Sequence, residues 1–343
     1  MTLYNSKTYV NEIKSLQKST ILNDFNNKTI LLSGGTGLIL SYLVDIFLYS
    51  NLNVHLILIV RNIEKAKERF SKFINDNRLE FLEADLTTTI KIDIDNIDYV
   101  ISGASKTDPF SYSHYPVETI FDNISGCRNL LNVARKYNAK FLLLSSCEIY
   151  GINENDILKE NDESIINISE NRSCYNLAKM TSENLCINYN KEYGVNTKII
   201  RFSRIFGSTI KLSDTKALSQ FMFNGINKKD IVLKSSGEQK FSYQYVADSA
   251  VAILYVLNDE SELITFNSTN EEIYRLKDLA KIISDYCGTK LIFEIKDEFG
   301  GSGYSKAKNS VLSIERLKAI GFKNQFNIQD ALINTCKILS EIK

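Results

Sequence analysis

The pattern of apolar and polar positions along residues 28–146 predicts strands and helices that largely alternate. Short, mainly apolar runs at 29–34, 54–60, 79–85, 98–105 and 140–146 are typical of strands. Between them, apolar residues recur at helical spacing in 37–50, 64–74 and 120–137. Strands that are apolar on both faces and separated by helices predict a parallel sheet. Right-handed crossovers make it doubly wound, with ligands bound at the carboxyl ends of the strands.

The pattern loosens after about residue 201. Helices are predicted at 7–22, 216–227, 275–287 and from 327, and a strand at 290–295. We therefore expect an α/β fold in which a Rossmann-type doubly wound parallel sheet carries a smaller C-terminal α/β substrate-binding domain. The expected division is a helical extension at 1–27, a dinucleotide-binding domain at 28–203 and a mainly substrate-binding part at 204–343, with 232–266 returning to the first domain.

Length, charge and cysteine usage narrow the class of protein. A chain of 343 residues suits one large domain, or a large and a small one. Its 41 basic and 41 acidic residues cancel, so neither nucleic acid nor a membrane surface is an expected partner. No apolar run reaches the roughly 20 residues of a membrane span, and the first residues do not resemble a signal peptide. Six scattered cysteines without a CxxC pair predict no metal site and favour the cytoplasm.

A glycine-rich turn follows the first predicted strand. Gly34, Gly35 and Gly37, with Thr36 between them, lie where a strand leads into a helix N-terminus. Such a turn brings backbone N–H groups and the helix dipole to a pyrophosphate. Leu40 stands where a dinucleotide fingerprint has its last glycine, which weakens the motif. We expect its side chain to turn away from the pyrophosphate into the helix–sheet interface.

Two later segments predict acid–base chemistry. Tyr175 and Lys179 are four residues apart and therefore share one helix face. An ammonium beside a phenol is expected to lower the phenol pKa towards the range useful for proton transfer. The hydroxyl of Ser146, at the end of a predicted strand, can complete a relay to a substrate hydroxyl or carbonyl.

Together the stretches SGGTGLI, EADL, DNISGCRNLL, SSCEIYG, YNLAK, RFSRIFG and GEQKFSYQYVADSA resemble the extended short-chain dehydrogenase/reductases, specifically the NAD-dependent epimerase/dehydratase family that modifies nucleotide sugars. The resemblance covers the chain from about residue 28 and implies a catalytic triad of Ser146, Tyr175 and Lys179. The cofactor contacts that we predict with it are Gly34, Thr36, Gly37, Leu38, Ile39, Arg61, Asp85, Leu86, Asn123, Tyr175 and Lys179.

The residues after the serine separate the reactions within this family. Sugar 4,6-dehydratases have an Asp-Glu pair there, UDP-glucuronate decarboxylases have Ser-Glu, and simple epimerases usually lack the glutamate. The present chain has Cys147 and Glu148. We therefore predict Glu148 as a fourth catalytic residue that acts on a transient keto sugar, and favour dehydratase or decarboxylase chemistry over simple epimerisation.

Two further departures leave alternatives open. Arg61 stands where NAD-preferring members carry an acid, so NADP is an alternative to NAD. Phe241 stands where many relatives have an arginine that binds the substrate phosphates, a role that Arg204, Lys216, Lys306 or Lys308 can take over. The predicted substrate contacts are Thr107, Cys147, Arg204, Lys216 and Lys306.

The expected function is NAD- or NADP-dependent modification of a nucleotide-activated sugar for surface polysaccharide synthesis, by a homodimer in the cytoplasm. One alternative is an NADPH-dependent keto-sugar reductase, which Arg61 suggests. The other is a catalytically silent protein that binds a dinucleotide or a sugar nucleotide, which Leu40 and Phe241 suggest.

Overall fold

The computed structural model of the chain describes residues 2–295 and 309–343. The strands are β1 (Thr29–Ser33), β2 (His55–Val60), β3 (Leu79–Glu83), β4 (Tyr99–Ser102), β5 (Lys140–Ser146), β6 (Thr197–Phe202), β7 (Arg204–Phe206), β8 (Ile231–Leu233), β9 (Lys240–Tyr245), β10 (Thr265–Ser268), β11 (Ile273–Arg275), β12 (Leu291–Phe293) and β13 (Asn309–Ser310). The α-helices are α1 (Lys7–Leu16), α2 (Leu38–Tyr49), α3 (Ile63–Arg69), α4 (Pro109–His114), α5 (Pro116–Tyr137), α6 (Ser173–Tyr193), α7 (Ala217–Ile226), α8 (Val246–Asn258), α9 (Leu276–Cys287), α10 (Glu315–Ala319) and α11 (Ile328–Glu341). Short 3-10 helices lie at Leu3–Asn5, Thr20–Phe25, Ser71–Phe73 and Cys147–Tyr150.

The central sheet confirms the predicted doubly wound fold. In the described part of the chain it has seven strands in the order β10-β6-β5-β4-β1-β2-β3. Every pair of neighbours is parallel. The strand order reverses between β1 and β4. After β1 the chain continues to β2 on one side, and after β4 it continues to β5 on the other. In sheets of this kind the ligand crevice lies at that point, outside the carboxyl ends of the strands.

Both faces of the sheet are covered by helices. Leu32 and Leu58 belong to the apolar cluster that includes α2 and α8, whereas Leu31 and Ile57 belong to the cluster that includes α5 and α6. Successive side chains of a strand point to opposite faces, so each of these strands is apolar on both sides. Full burial of one such side chain stabilises the fold by about 1.5–3 kcal/mol.

The second half of the chain forms smaller sheets and also returns to the central one. Strand β9 pairs with β7, β11 and β13, and β8 pairs with β12. Strand β10 pairs with β6 at the edge of the central sheet. Helix α8 packs against α2 in the same apolar cluster. Among the described residues, no helix combines the length and hydropathy that crossing a bilayer requires.

The N-terminal helix is shorter than predicted and is tied to the rest of the fold. It ends at Leu16 instead of residue 22, ahead of serine and threonine, which compete for backbone hydrogen bonds. Its buried Glu12 accepts hydrogen bonds from Tyr42 on α2, at 2.6 Å, from Tyr245 on β9, at 2.8 Å, and from Asn334 on α11. Burial raises the pKa of Glu12, against the effect of these donors. The extension thus joins three elements of the core.

Candidate active site

The turn after β1 leaves backbone donors at the ligand edge of the sheet. Gly34 has a φ of +78°, and a Cβ there would lie 2.7 Å from the backbone nitrogen of Ala104, so this position requires glycine. Gly37 is the N-cap of α2, whose first turn has no capping side chain and no acidic residue. The first N–H groups of a helix have no partner within it, so this end suits an anion. Thr36, Leu38 and Ile39 are partly buried along the same turn.

Leu40 fits this turn because a glycine directly follows the neighbouring strand β4. Its side chain is 2% exposed and lies in the interface between α2 and the sheet, as expected. A Cβ on Gly103, which follows β4, would stand 2.5 Å from Leu40 Cδ1. The absence of a side chain at position 103 therefore provides the room that Leu40 needs. Close packing of α2 against the sheet does not require a glycine at position 40.

The residues predicted for the adenosine end lie beyond β2 and β3. Arg61 and Asp85 are both exposed, and Asp85 accepts hydrogen bonds from the Thr87 backbone N–H and hydroxyl at 2.9 and 2.8 Å. These bonds lower the pKa of Asp85, and Arg61 adds a smaller lowering. Leu86 follows Asp85 and is partly buried.

The predicted cofactor residue Asn123 lies on α5 and is 6% exposed. Its side-chain oxygen accepts a hydrogen bond from Ser105 at 2.8 Å, and its nitrogen donates one to the Thr119 carbonyl at 2.7 Å. Asn123 therefore joins α5 to the loop after β4.

The triad converges at the carboxyl end of β5. Ser146 is the last residue of β5 and caps the 3-10 helix, where its hydroxyl accepts a 3.3 Å hydrogen bond from the Glu148 N–H. Tyr175 and Lys179 lie one turn apart on α6 and are both buried. The Lys179 ammonium stands 5.9 Å from the centre of the Tyr175 ring and donates a 3.0 Å hydrogen bond to the Leu144 carbonyl.

One expectation about the triad is wrong. The pKa of Tyr175 is raised, not lowered, because burial disfavours the phenolate more than the Ser146 hydroxyl favours it. Burial also lowers the pKa of Lys179 to about 8, so its ammonium loses the proton at a lower pH than that of a free lysine. Tyr112 on α4, which was not predicted, stacks on the Tyr175 ring with 4.9 Å between centroids and adds to that burial.

Glu148 is held as a carboxylate. Arg172, directly before α6, donates a 2.9 Å hydrogen bond to Glu148 Oε2. Burial raises the pKa of Glu148, but attraction to Arg172 and, more weakly, to Arg204 lowers it below its ordinary value overall. The Asn176 amide binds the Glu148 backbone oxygen at 2.5 Å. Glu148, Arg172 and Asn176 line a cavity of about 50 Å³.

Arg172 was missed by the sequence reasoning, although a signal for it exists. It precedes Tyr175 by three residues and Asn176 by four, which is the spacing of neighbours on one helix face. A basic residue at this spacing from a catalytic tyrosine is a candidate partner for the acid on the facing strand end.

The predicted substrate contacts occupy different surroundings. Thr107 is exposed in the loop after β4. Cys147 is buried in an apolar cluster with Ile149, Tyr150, Leu158 and Leu312. Lys216 is exposed and forms a 3.6 Å ion pair with Asp214. Lys306 and Lys308 lie outside the described residues. Arg204 begins β7, with its guanidinium carbon 3.5 Å from the centre of the Phe241 ring.

Comparison with known proteins identifies the family. Residues 30–268 match the model of the NAD dependent epimerase/dehydratase family. The chain belongs to this family. The match covers the glycine turn, the triad and the Glu148–Arg172 pair, so it confirms the resemblance that the motifs indicated.

Similar members of the NAD dependent epimerase/dehydratase family include UDP-glucuronic acid decarboxylases. The decarboxylase 1 of Arabidopsis thaliana is 30% identical over 78% of this chain and 60% of its own length. The decarboxylase 1 of Xenopus tropicalis is 27% identical over 78% of this chain and 62% of its own length. The present chain thus spans less than two-thirds of the length of these relatives.

Solved structures share the fold of this family member. A Bacillus cereus UDP-glucuronic acid 4-epimerase, in complex with UDP-glucuronic acid and NAD, covers 92% of this chain and 100% of its own with a TM-score of 0.78 at 19% identity. A dTDP-glucose 4,6-dehydratase of Bacillus anthracis, in complex with NAD, covers 90% of this chain and 95% of its own with a TM-score of 0.74 at 16% identity.

Proposed function

We propose that the protein is an NAD-dependent decarboxylase of a nucleotide-linked uronic acid and works through a transient keto sugar. The observation that carries this proposal is the Glu148–Arg172 ion pair next to Ser146, Tyr175 and Lys179. A carboxylate with a lowered pKa is a weak base, and dehydration of a keto sugar requires a base that removes a proton from carbon. Loss of CO₂ from a β-keto acid requires no such base. The names of the decarboxylase relatives support the same reaction.

The carboxyl edge of the sheet suits a dinucleotide. The uncapped N-terminus of α2, with no acid in its first turn, suits the pyrophosphate, and Gly34 lets the backbone turn there. We assign the turn from Gly34 to Ile39 to the pyrophosphate, Asp85 and Leu86 to the adenosine end, and Lys179 to the nicotinamide ribose. When bound, NAD supplies the acceptor and later the donor of a hydride.

The side chains of the chain handle the protons. In its phenolate form Tyr175 takes the proton of the sugar hydroxyl as that carbon is oxidised, and Ser146 shares the hydrogen bond to the same oxygen. The bond to the carboxyl carbon then breaks, CO₂ leaves, and the electron pair moves into the enolate. Once a solvent proton relayed by Glu148 has reached the carbon and the ketone is reduced, Tyr175 returns its proton to the oxygen. The raised pKa of Tyr175 disfavours the first proton transfer and favours this last one.

The decisive experiment is incubation of the purified protein with UDP-glucuronic acid and NAD. We expect release of CO₂ and a product that lacks the carboxyl group by mass spectrometry, without net consumption of NAD. UDP-glucose and dTDP-glucose serve as substrates for the competing dehydration. Turnover of these alone, or net oxidation of NADPH, would replace the decarboxylase proposal by a dehydratase or a reductase.

A matched pair of tyrosine variants tests the catalytic assignment. Tyr175→Phe is expected to lose turnover and keep bound cofactor. Tyr189→Phe, on the same helix with its hydroxyl 2.8 Å from Asn132, is expected to retain both. Equal turnover by both variants would refute the catalytic assignment of Tyr175, and absence of turnover in the wild type would favour the catalytically silent alternative.

The remaining assignments are finer proposals. We propose NAD rather than NADP, since the family whose model matches the chain is NAD dependent; the mass of the nucleotide released on denaturation tests this. Homodimer formation, which exposed Val117 and Phe121 on α5 are able to support, is tested by analytical ultracentrifugation. The cytoplasmic setting and a role in surface polysaccharide synthesis stay predictions.

A further inference from the structure

Arg204 is held in a defined position at the catalytic end of the sheet. It begins β7, where it lies opposite Tyr243 of β9, and Phe241 is two residues away on the same face of β9. The guanidinium carbon is 3.5 Å from the Phe241 ring centroid, so the two groups stack. Stacking fixes the plane of the guanidinium and leaves its edge, which carries the N–H donors, free to bind.

The position of Arg204 places it close to the reacting groups. Ser146 is in register with Phe202 of the neighbouring strand, and Arg204 follows two residues later. Arg204 also contributes to lowering the pKa of Glu148, which shows that the two charges interact. The Glu148 carboxylate is nevertheless bound by Arg172.

The donors of Arg204 are not fully used within the part of the chain that the structure describes. Arg204 Nη1 is buried and has no hydrogen-bond partner there. The buried hydroxyls of Ser203 and Ser208, in the same segment, also lack one. A buried guanidinium N–H without a hydrogen-bond partner is costly, and the unpaired buried hydroxyls add to the cost. The segment is therefore built to receive an anion that the described chain does not supply.

We propose that Arg204, braced by Phe241, binds the carboxylate of the uronic acid and thereby selects an acidic sugar over a neutral one. The inference rests on the proposed function and names the residue that recognises the departing group. A planar guanidinium matches a planar carboxylate through two parallel hydrogen bonds. Proximity to Ser146 and Glu148 assigns the anion to the reacting end of the substrate instead of its diphosphate.

The test compares the affinities of the NAD-loaded protein for UDP-glucuronic acid, UDP-glucose and UDP by calorimetry. The wild type is expected to prefer UDP-glucuronic acid to UDP-glucose. Arg204→Met is expected to weaken UDP-glucuronic acid binding about 10- to 100-fold, the loss expected for a charge-assisted hydrogen bond, and to abolish the preference. UDP-glucose and UDP are expected to bind the variant as well as the wild type.

Three further variants separate charge from geometry. Arg204→Lys keeps the charge without the planar fork and is expected to lose part of the preference. Phe241→Leu removes the stacked ring and is expected to do the same. Lys191→Met removes an exposed cation in the last turn of α6, at the opposite end of that helix from Tyr175, and is expected to change nothing. Unaltered melting temperature and NAD content verify that each variant is folded.

The outcomes distinguish this inference from the proposed function. A wild type that binds none of the three ligands would overturn both. Normal binding by the wild type together with an unchanged preference in Arg204→Met would overturn the role of Arg204 alone. Equal weakening of all three ligands would overturn the carboxylate assignment, because it would place the diphosphate on Arg204. If Arg204→Met does not fold, an unchanged preference in Arg204→Lys and Phe241→Leu would refute the inference equally well.

Discussion

The substitution Gly103→Ala tests how the cofactor turn tolerates a leucine at position 40. The new methyl group would lie 2.5 Å from Leu40 Cδ1, 3.1 Å from the Ser33 carbonyl oxygen and 3.2 Å from Leu144 Cδ2. The backbone oxygen cannot move aside, and Leu40 is already buried. We therefore expect a loss of about 1–3 kcal/mol in the free energy of unfolding, the range of overpacked cores.

A second substitution makes it possible to measure the coupling energy between positions 40 and 103. Leu40→Ala alone removes most of a buried side chain and is expected to cost about 2–5 kcal/mol. In the double variant the methyl group at position 103 enters the space that Leu40 vacates, and the clash with the Leu40 side chain disappears. The double variant is therefore expected to lose at least ~1 kcal/mol less than the sum of the two single losses.

The assay is urea unfolding followed by far-ultraviolet circular dichroism, because the chain has no tryptophan. NAD titrations of each variant report whether the start of α2 moves. Gly126→Ala is the control: its new Cβ would meet Leu86 at an ordinary 3.4 Å, within helix α5. Strictly additive losses, or a Gly103→Ala variant as stable as the control, would refute the packing explanation.

Three other predictions concern the catalytic end. Arg172→Met removes the ion pair and leaves burial to raise the pKa of Glu148, so the acidic limb of the kcat/KM profile should move to higher pH; an unmoved limb contradicts this. Because burial lowers the Lys179 pKa from 10.5 to about 8, the folded protein releases a proton that the unfolded chain keeps. Between about pH 8 and 10.5 the free energy of unfolding of the wild type should therefore rise with pH relative to that of Lys179→Met. An identical pH dependence of the two proteins would contradict this prediction. Gly151→Ala, with φ +63° and a Cβ 2.0 Å from a backbone oxygen of the facing loop, should destabilise the protein by ~1–3 kcal/mol more than Gly194→Ala, whose φ is +67° in open space.

Elements with a local pattern were predictable from the sequence. Strands β1, β2 and β5 and helices α2 and α9 lie within a residue or two of their predicted bounds, because burial of both strand faces or one helix face leaves a direct trace in composition. Helix α1 was predicted too long, since its end depends on a weak preference. The convergence of Ser146 with Tyr175 was predictable because the carboxyl end of a parallel strand and the following helix meet at one edge.

Properties that depend on distant neighbours were not predictable. The space for Leu40 is provided by Gly103, which follows strand β4 and carries no signal of that role in the sequence. The pKa of Tyr175 was expected to be lowered, since only Lys179 is visible beside it in the sequence. In the fold, burial raises this pKa and outweighs the hydrogen bond of Ser146, and the stacked ring of Tyr112 contributes to that burial.

The start of α6 carries both Tyr175, the predicted proton-transfer residue, and Arg172, the partner of the Glu148 carboxylate. Arg172, Tyr175, Asn176 and Lys179 occupy positions i, i+3, i+4 and i+7, so they lie on one face of the helix. Arg172 binds the Glu148 side chain and Asn176 binds its backbone, which fixes the 3-10 turn that begins at the end of β5. A displacement of α6 therefore alters the position of the phenol and the ionisation of the carboxylate together. Through this connection one helix sets the positions of an acid and a tyrosine that lie 27 residues apart in the chain.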